Sequence, residues 1–169
     1  NINLDKLKTA PSAPDDILNL LKSIANVTPE SFNYARMMIN YMWEDPNGKI
    51  LLQAIYDSKI NIMISGSASA ASSDLKTKDS AEFEDGITPT RYKAVNSGEI
   101  VIPAEYAAKV FRTDFAPNYR AEAFQSFVRE FVHVFMAIKV KNNYNSIEEE
   151  LGAYMIGYDM ANKAFTGNP

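Results

Sequence analysis

The 169-residue chain contains no cysteine and a single histidine, His133. Without cysteine it can hold no disulfide, zinc finger or iron–sulfur cluster, and it can use no thiol nucleophile. With one histidine, no site within the chain can be built from several imidazoles. Any metal bound here would have to rest on one imidazole together with carboxylates.

The chain also lacks a basic block and a long apolar run. Lys and Arg together number 17 against 21 Asp and Glu, which gives a net charge of -4. This balance does not favour a nucleic acid or an anionic membrane surface as a partner. No apolar run approaches the roughly 18 residues that span a bilayer. We therefore expect no nucleic-acid and no membrane partner.

The length suits one domain, since domains cluster at roughly 100 to 150 residues. Residues 1–14 are polar with two prolines and are predicted to form an N-terminal arm, followed by a single domain over 15–169. The chain begins with Asn1 rather than Met, so we expect a processed or recombinant form from which any targeting peptide has been removed. Absence of cysteine is compatible with a secreted or exported protein, and we expect that localisation.

The pattern of apolar residues predicts an α+β fold, mostly helical with a small sheet. Between 65 and 98 the sequence is rich in Ser, Ala and Lys, and this stretch is predicted to be a long loop. The other predicted elements are helices over 15–24, from Thr28 to the turn at Asp45, over 49–56 and over 104–110, and strands over 59–64 and 99–102.

The C-terminal third carries the clearest signal. Residues 121–141 form one predicted helix that is apolar on nearly every side, which is typical of a buried helix. Arg129, Glu130 and His133 are its polar exceptions, and helical geometry places them on one narrow arc. A second apolar helix is predicted over 147–165, with Glu148, Glu149 and Glu150 in its first turn.

The segment Arg129-Glu130-x-x-His133, followed after sixteen residues by Glu150, resembles the zincin metallopeptidases. Specifically, it is similar to the gluzincin arrangement found in compact zincin domains of bacterial secreted toxins and effectors. The resemblance implies a zincin-like pair of active-site helices at the C-terminal end. It also implies zinc as cofactor, Glu130 as the catalytic base, and His133 and Glu150 as metal ligands, with Glu149 the second choice.

Arg129 departs from this pattern, because it stands where the family has its first zinc-binding histidine. Arginine keeps its proton and offers no lone pair to a metal. We therefore expect a metallopeptidase-like domain that is catalytically impaired and acts by binding a protein or peptide. If the site is functional, the resemblance implies zinc-dependent hydrolysis of peptide bonds.

An alternative comes from a different functional class. In this interpretation the chain is a non-enzymatic helical binding or assembly module, and its long loop contacts a partner. Arg129, Glu130, His133 and Glu150 then form a structural network, because a buried charge is stabilised by pairing. The sequence alone leaves both interpretations open.

Overall fold

A computed structural model describes residues 7–84, 89–139, 155–157 and 159–163. The helices are α1 (Asp15–Leu18), α2 (Pro29–Glu44), α3 (Pro46–Asp57), α4 (Ala104–Phe111) and α5 (Pro117–Lys139). The strands are β1 (Leu21–Ile24), β2 (Ile60–Ser65), β3 (Ser72–Glu84) and β4 (Pro89–Pro103). Residues 155–157 and 159–163 are also helical. The fold is α+β, as predicted.

The strands form one four-stranded sheet in the order β1-β2-β4-β3. β1, β2 and β4 are parallel, in a register that sets Leu21 opposite Ile62 and Ile62 opposite Ile100. β3 is antiparallel to β4. Parallel strands need a long crossover, and α2 and α3 supply it between β1 and β2. The carboxyl ends of the three parallel strands therefore lie at the same end of the sheet.

One face of the sheet packs against the helices and forms the core. Its isoleucines have no exposed surface (Ile60, Ile62, Ile64, Ile100 and Ile102). They alternate along the strands with more exposed residues such as Asn61 and Glu99, as expected for a sheet with one covered face. From the helical side, α5 contributes the fully buried Phe124, Phe127 and Phe131. α5 is thus central to the fold.

Several helix boundaries follow local capping rules. Thr28 is the N-cap of α2, and its side chain accepts a hydrogen bond from the Ser31 backbone N–H. Asp45 caps α3 by accepting hydrogen bonds from the Asn47 and Gly48 N–H groups. A Cβ on Gly48 would lie 2.1 Å from the Met42 carbonyl oxygen, so only glycine allows this corner. α3 therefore starts at Pro46, earlier than predicted.

The loop predicted over 65–98 is wrong for most of its length. β3 spans 13 residues, Ser72–Glu84, and hydrogen-bonds to β4, which begins at Pro89 and includes the predicted strand over 99–102. The composition is misleading because β3 lies at the edge of the sheet, where most side chains over 72–77 are exposed. Such a strand is stabilised by its backbone ladder, and it needs few apolar residues.

The helix predicted over 15–24 is also wrong in its second half. α1 ends at Leu18, and Leu21–Ile24 forms β1, which pairs with β2. Short apolar runs are compatible with either structure, and the pairing with β2 decides here.

In the predicted N-terminal arm, Leu7 is fully buried and the Ala13 N–H donates to the Asn40 side chain at 2.9 Å.

The C-terminal helices are partly described. α5 begins at Pro117, four residues before the predicted start, and is described as far as Lys139. The predicted helix over 147–165 falls largely outside the described residues, as do Glu148, Glu149 and Glu150. Within the described part of the chain, no helix combines the length and the apolarity needed to cross a membrane.

Candidate functional site

α5 is held in place at its first turns by a buried arginine. Arg120 is 4% exposed, and its Nε and Nη2 donate to the Val110 carbonyl oxygen at 2.9 and 2.7 Å. Val110 lies in the last turn of α4, where carbonyl groups have no partner within the helix. Burial lowers the pKa of the Arg120 guanidinium. This contact ties α5 to the end of α4.

The polar residues singled out in the sequence lie farther along the same helix. Arg129 is exposed, and Glu130 and His133 are half-buried. All three line one cleft of about 320 Å³. The other walls are Ser126 from α5, Tyr106 from α4, and Ala70 and Ala71 from the segment before β3. We call this the Arg129 cleft.

The Arg129 cleft lies near the carboxyl ends of β2 and β4, since the segments that follow these two strands supply Ala70, Ala71 and Tyr106. Crevices beyond the carboxyl ends of parallel strands are common ligand sites. The first turn after β2 is well defined, because the Ser65 hydroxyl accepts hydrogen bonds from the Ser67 and Ala68 N–H groups at 3.2 and 3.1 Å.

A glycine is required at the start of this turn. A Cβ on Gly66 would lie 2.1 Å from the Ala25 carbonyl oxygen. Ala25 and the adjacent Asn26 have positive φ angles of 52° and 58°, so the turn after β1 is itself tightly folded against Gly66. The two turns together build the edge of the sheet near the cleft.

The structure thus brings together Arg129, Glu130 and His133, which the sequence placed on one arc. Arg129 and His133 both take part in interactions with other residues. The predicted ligand Glu150 and its second choice Glu149 lie outside the described residues, so their position relative to the cleft stays a prediction.

The described residues do not fit a zinc site. Among them, no group of three His, Cys, Asp or Glu side chains is close enough to hold a metal ion. Glu130 and His133 supply one carboxylate and one imidazole, and a structural or catalytic zinc needs at least three protein ligands. Arg129 brings a positive charge to the same cleft in place of a further ligand.

Four lining residues could not be read from the motif, namely Ala70, Ala71, Tyr106 and Ser126. Ser126 precedes Glu130 by four residues and His133 by seven, so its helical spacing could have identified it. Tyr106 reaches the cleft from α4, and no local pattern connects it to α5. Only the packing of α4 on α5 places it there.

Comparison of the chain with protein families, with curated proteins and with solved structures gives no match. The zincin resemblance therefore rests on the residues of the motif. A fold would not by itself establish an activity, so the chemistry of the Arg129 cleft carries the functional interpretation.

Proposed function

We propose that the chain is a metallopeptidase-like domain that binds a peptide or an extended protein segment in the Arg129 cleft without hydrolysing it. The observation that carries this proposal is the position of Arg129. It lines the same cleft as Glu130 and His133, at the place where the resemblance would require a zinc-binding histidine. A guanidinium binds oxygen acceptors and cannot ligate a metal.

The polar groups of the cleft suit a peptide backbone. Arg129 offers several N–H donors, the Glu130 carboxylate is an acceptor, and His133 and Ser126 can do either. A peptide presents carbonyl acceptors and N–H donors in alternation, so both kinds of group find partners. The volume of about 320 Å³ lies within the range of ordinary ligand pockets, roughly 300–1,000 Å³.

The neighbouring strand supports an extended ligand. Ala70 and Ala71 line the cleft and lead directly into β3. Within the described residues β3 pairs only with β4, which leaves its outer edge without a strand partner. Edge strands can accept an extended peptide through backbone hydrogen bonds.

Zinc titration by calorimetry tests the role assigned to Arg129. We expect the wild type to bind no stoichiometric zinc and Arg129→His to bind zinc at least a hundredfold more tightly, because it supplies a second imidazole one turn from His133 and the predicted ligand Glu150 would be the third. Arg36→His is the matched control, since Arg36 is an exposed arginine on α2. Stoichiometric zinc on the wild type, or no gain in a folded Arg129→His protein, would contradict the proposal.

Peptide binding is tested by selecting from a library of random peptides on the immobilised wild-type chain. The selected peptides should bind Arg129→Glu at least tenfold more weakly, because the substitution reverses the charge that faces the ligand. Arg36→Glu makes the same change away from the cleft and should leave affinity unchanged. Failure to select any peptide, or equal loss with both variants, would argue against the Arg129 cleft as the binding site.

The structural module remains a second candidate for one reason. Arg129 and His133 both have interaction partners, as a network that holds helices together would require. In that case, removal of either side chain destabilises the fold. The binding proposal instead expects the affinity for the selected peptides to change while the free energy of unfolding stays nearly constant.

A further inference from the structure

A second cleft adjoins the first along α5. It has a volume of about 170 Å³ and shares two residues, Tyr106 and Ser126, with the Arg129 cleft. Its remaining walls include Lys109 of α4, Phe115, and Tyr119 and Glu122 of α5. Because Tyr106 and Ser126 belong to both, the two clefts lie side by side.

The second cleft has aromatic walls that are partly open to solvent. Tyr119 is 59% exposed, which is unusual for a large aromatic side chain, and Phe115 and Tyr106 are half-buried. Exposed aromatic side chains that line a concavity mark interaction sites more often than scattered apolar residues do. The chemistry of this cleft therefore differs from the polar Arg129 cleft beside it.

Cations that an aromatic ring can contact lie around Phe115. The Arg112 guanidinium lies 4.9 Å from the centre of the Phe115 ring, and the Lys109 ammonium lies 6.0 Å from it. Of these two cations Lys109 lines the cleft, and an aromatic ring entering it can offer its negative face to that ammonium. Arg112 and Lys109 also face Asp114 and Glu105, and Glu122 lies on the α5 wall.

The size of the cleft fits a single ring. A cavity of about 150 Å³ is known to bind benzene. At about 170 Å³, the second cleft has room for one phenyl or phenol ring and for little more.

We propose that the second cleft is a specificity site for one aromatic side chain of the peptide held in the Arg129 cleft. This proposal rests on the proposed function. Tyr119 of the second cleft and Arg129 of the first are ten residues apart on α5, or about 15 Å along its axis. An extended peptide covers that distance in about four or five residues. The aromatic residue therefore lies four or five positions from the residue that contacts Arg129.

Small probes test this site independently of the peptide. N-acetyl-phenylalaninamide is titrated into the ¹⁵N-labelled full chain, and the backbone amide signals are followed by NMR. We expect shifts at Phe115, Ala123 and Ser126. N-acetyl-leucinamide and N-acetyl-lysinamide, at the same concentrations, should bind at least tenfold more weakly.

Variants locate the site. Tyr119→Ala should weaken binding of the phenylalanine probe at least tenfold, and its exposed position means that the protein should remain folded. Tyr56→Ala removes another exposed tyrosine, on α3, and should have no effect. Equal binding of all three probes, shifts confined to other residues, or full binding to Tyr119→Ala would overturn the assignment.

The peptide selection then separates this inference from the proposed function. Peptides that require Arg129 should carry an aromatic residue at the stated spacing, and Tyr119→Ala should abolish that preference. Peptides that require Arg129 but show no aromatic preference would overturn the specificity site alone. Binding of the phenylalanine probe without any Arg129-dependent peptide would instead overturn the proposed function.

Discussion

The two sides of α5 carry similar side chains that have different roles. On the core side, Phe124, Phe127 and Phe131 have no exposed surface, and Arg120 is 4% exposed. On the cleft side, Tyr119 is 59% exposed and Arg129 is also exposed. An aromatic ring and a guanidinium thus occur on each side. Burial and the available partners, rather than residue type, decide which of them stabilise the fold.

The two arginines show the difference most clearly. The Arg120 fork is committed to the Val110 carbonyl oxygen, and it satisfies a group at the end of α4. Arg129 faces a cleft that can admit a ligand. Arg120 is buried at one fixed contact and contributes to stability, whereas Arg129 lies in the wall of a cleft, where a guanidinium can contribute to recognition.

The largest expected contrast is between two aromatic residues. Phe127→Ala should lower the free energy of unfolding by about 3–5 kcal/mol, because it leaves a cavity in the core. Tyr119→Ala should change it by less than about 0.5 kcal/mol, since its side chain is mostly in solvent. Urea denaturation followed by circular dichroism measures both. Similar losses of unfolding free energy for the two variants would contradict the distinction between the core side and the cleft side of α5.

Substitution of the buried Arg120 should likewise lower the free energy of unfolding more than substitution of the exposed Arg129. Arg120→Met should cost about 2–3 kcal/mol, because it leaves the Val110 carbonyl oxygen buried without its donor. Arg129→Met should cost under about 0.5 kcal/mol. A loss of several kcal/mol in Arg129→Met would favour the structural network over the binding cleft. Arg120→Lys, which keeps the charge but not the fork, should fall between wild type and Arg120→Met.

Helices α2, α4 and α5 could be predicted from the sequence because their signals are local. Thr28 at the N-cap of α2 and the amphipathic spacing of α4 depend on neighbouring residues alone. The apolar α5 was identified as buried for the same reason. In each case the residues that carry the helical signal lie within the helix or next to it.

The pairing of β3 with β4 could not be predicted because the paired residues are distant in sequence. Ser73 lies opposite Ile100 and Leu75 opposite Gly98, so the polar edge strand is defined by β4. β1 is similar, since its register with Ile62 and Ile64 spans a crossover of two helices. A strand that depends on such pairings has little intrinsic signature.

The candidate site was predictable in part. Helical geometry was enough to group Arg129, Glu130 and His133, because all three belong to α5. Tyr106, Ala70 and Ala71 enter the cleft from other elements, and their positions depend on how β2, β3 and β4 pair, which was not predicted from the sequence. The second cleft could not be predicted, because Phe115 and Tyr119 line a cleft only where the fold places them beside Tyr106 and Lys109.

A smaller effect concerns pH on the core side. Tyr41 packs edge-on against Phe124, with ring centres 5.8 Å apart, and burial followed by the charge of Asp45 raises its pKa to about 12. The unfolded chain, with a tyrosine pKa near 10, loses this proton first. The stabilisation is complete below about pH 10 and is lost as the pH rises toward 12.

Tyr41→Phe removes this titration. Between about pH 8 and pH 11, its stability should improve relative to wild type by about 1 kcal/mol. The measurement is urea denaturation at each pH. Tyr119→Phe, on the cleft side, is the matched control and should follow the wild type. Parallel curves for wild type and Tyr41→Phe would show that the hydroxyl of Tyr41 does not titrate as described.

The smallest change in stability is expected for Glu130→Gln, which keeps the shape of a half-buried side chain and removes its charge. We expect a change of less than about 0.5 kcal/mol, because Glu130 faces the cleft rather than the core. Mass spectrometry of a peptide mixture incubated with zinc adds the functional readout, and neither wild type nor Glu130→Gln should cleave it. Cleavage by wild type that is lost in Glu130→Gln but kept in Glu122→Gln would identify Glu130 as a general base and overturn the binding proposal.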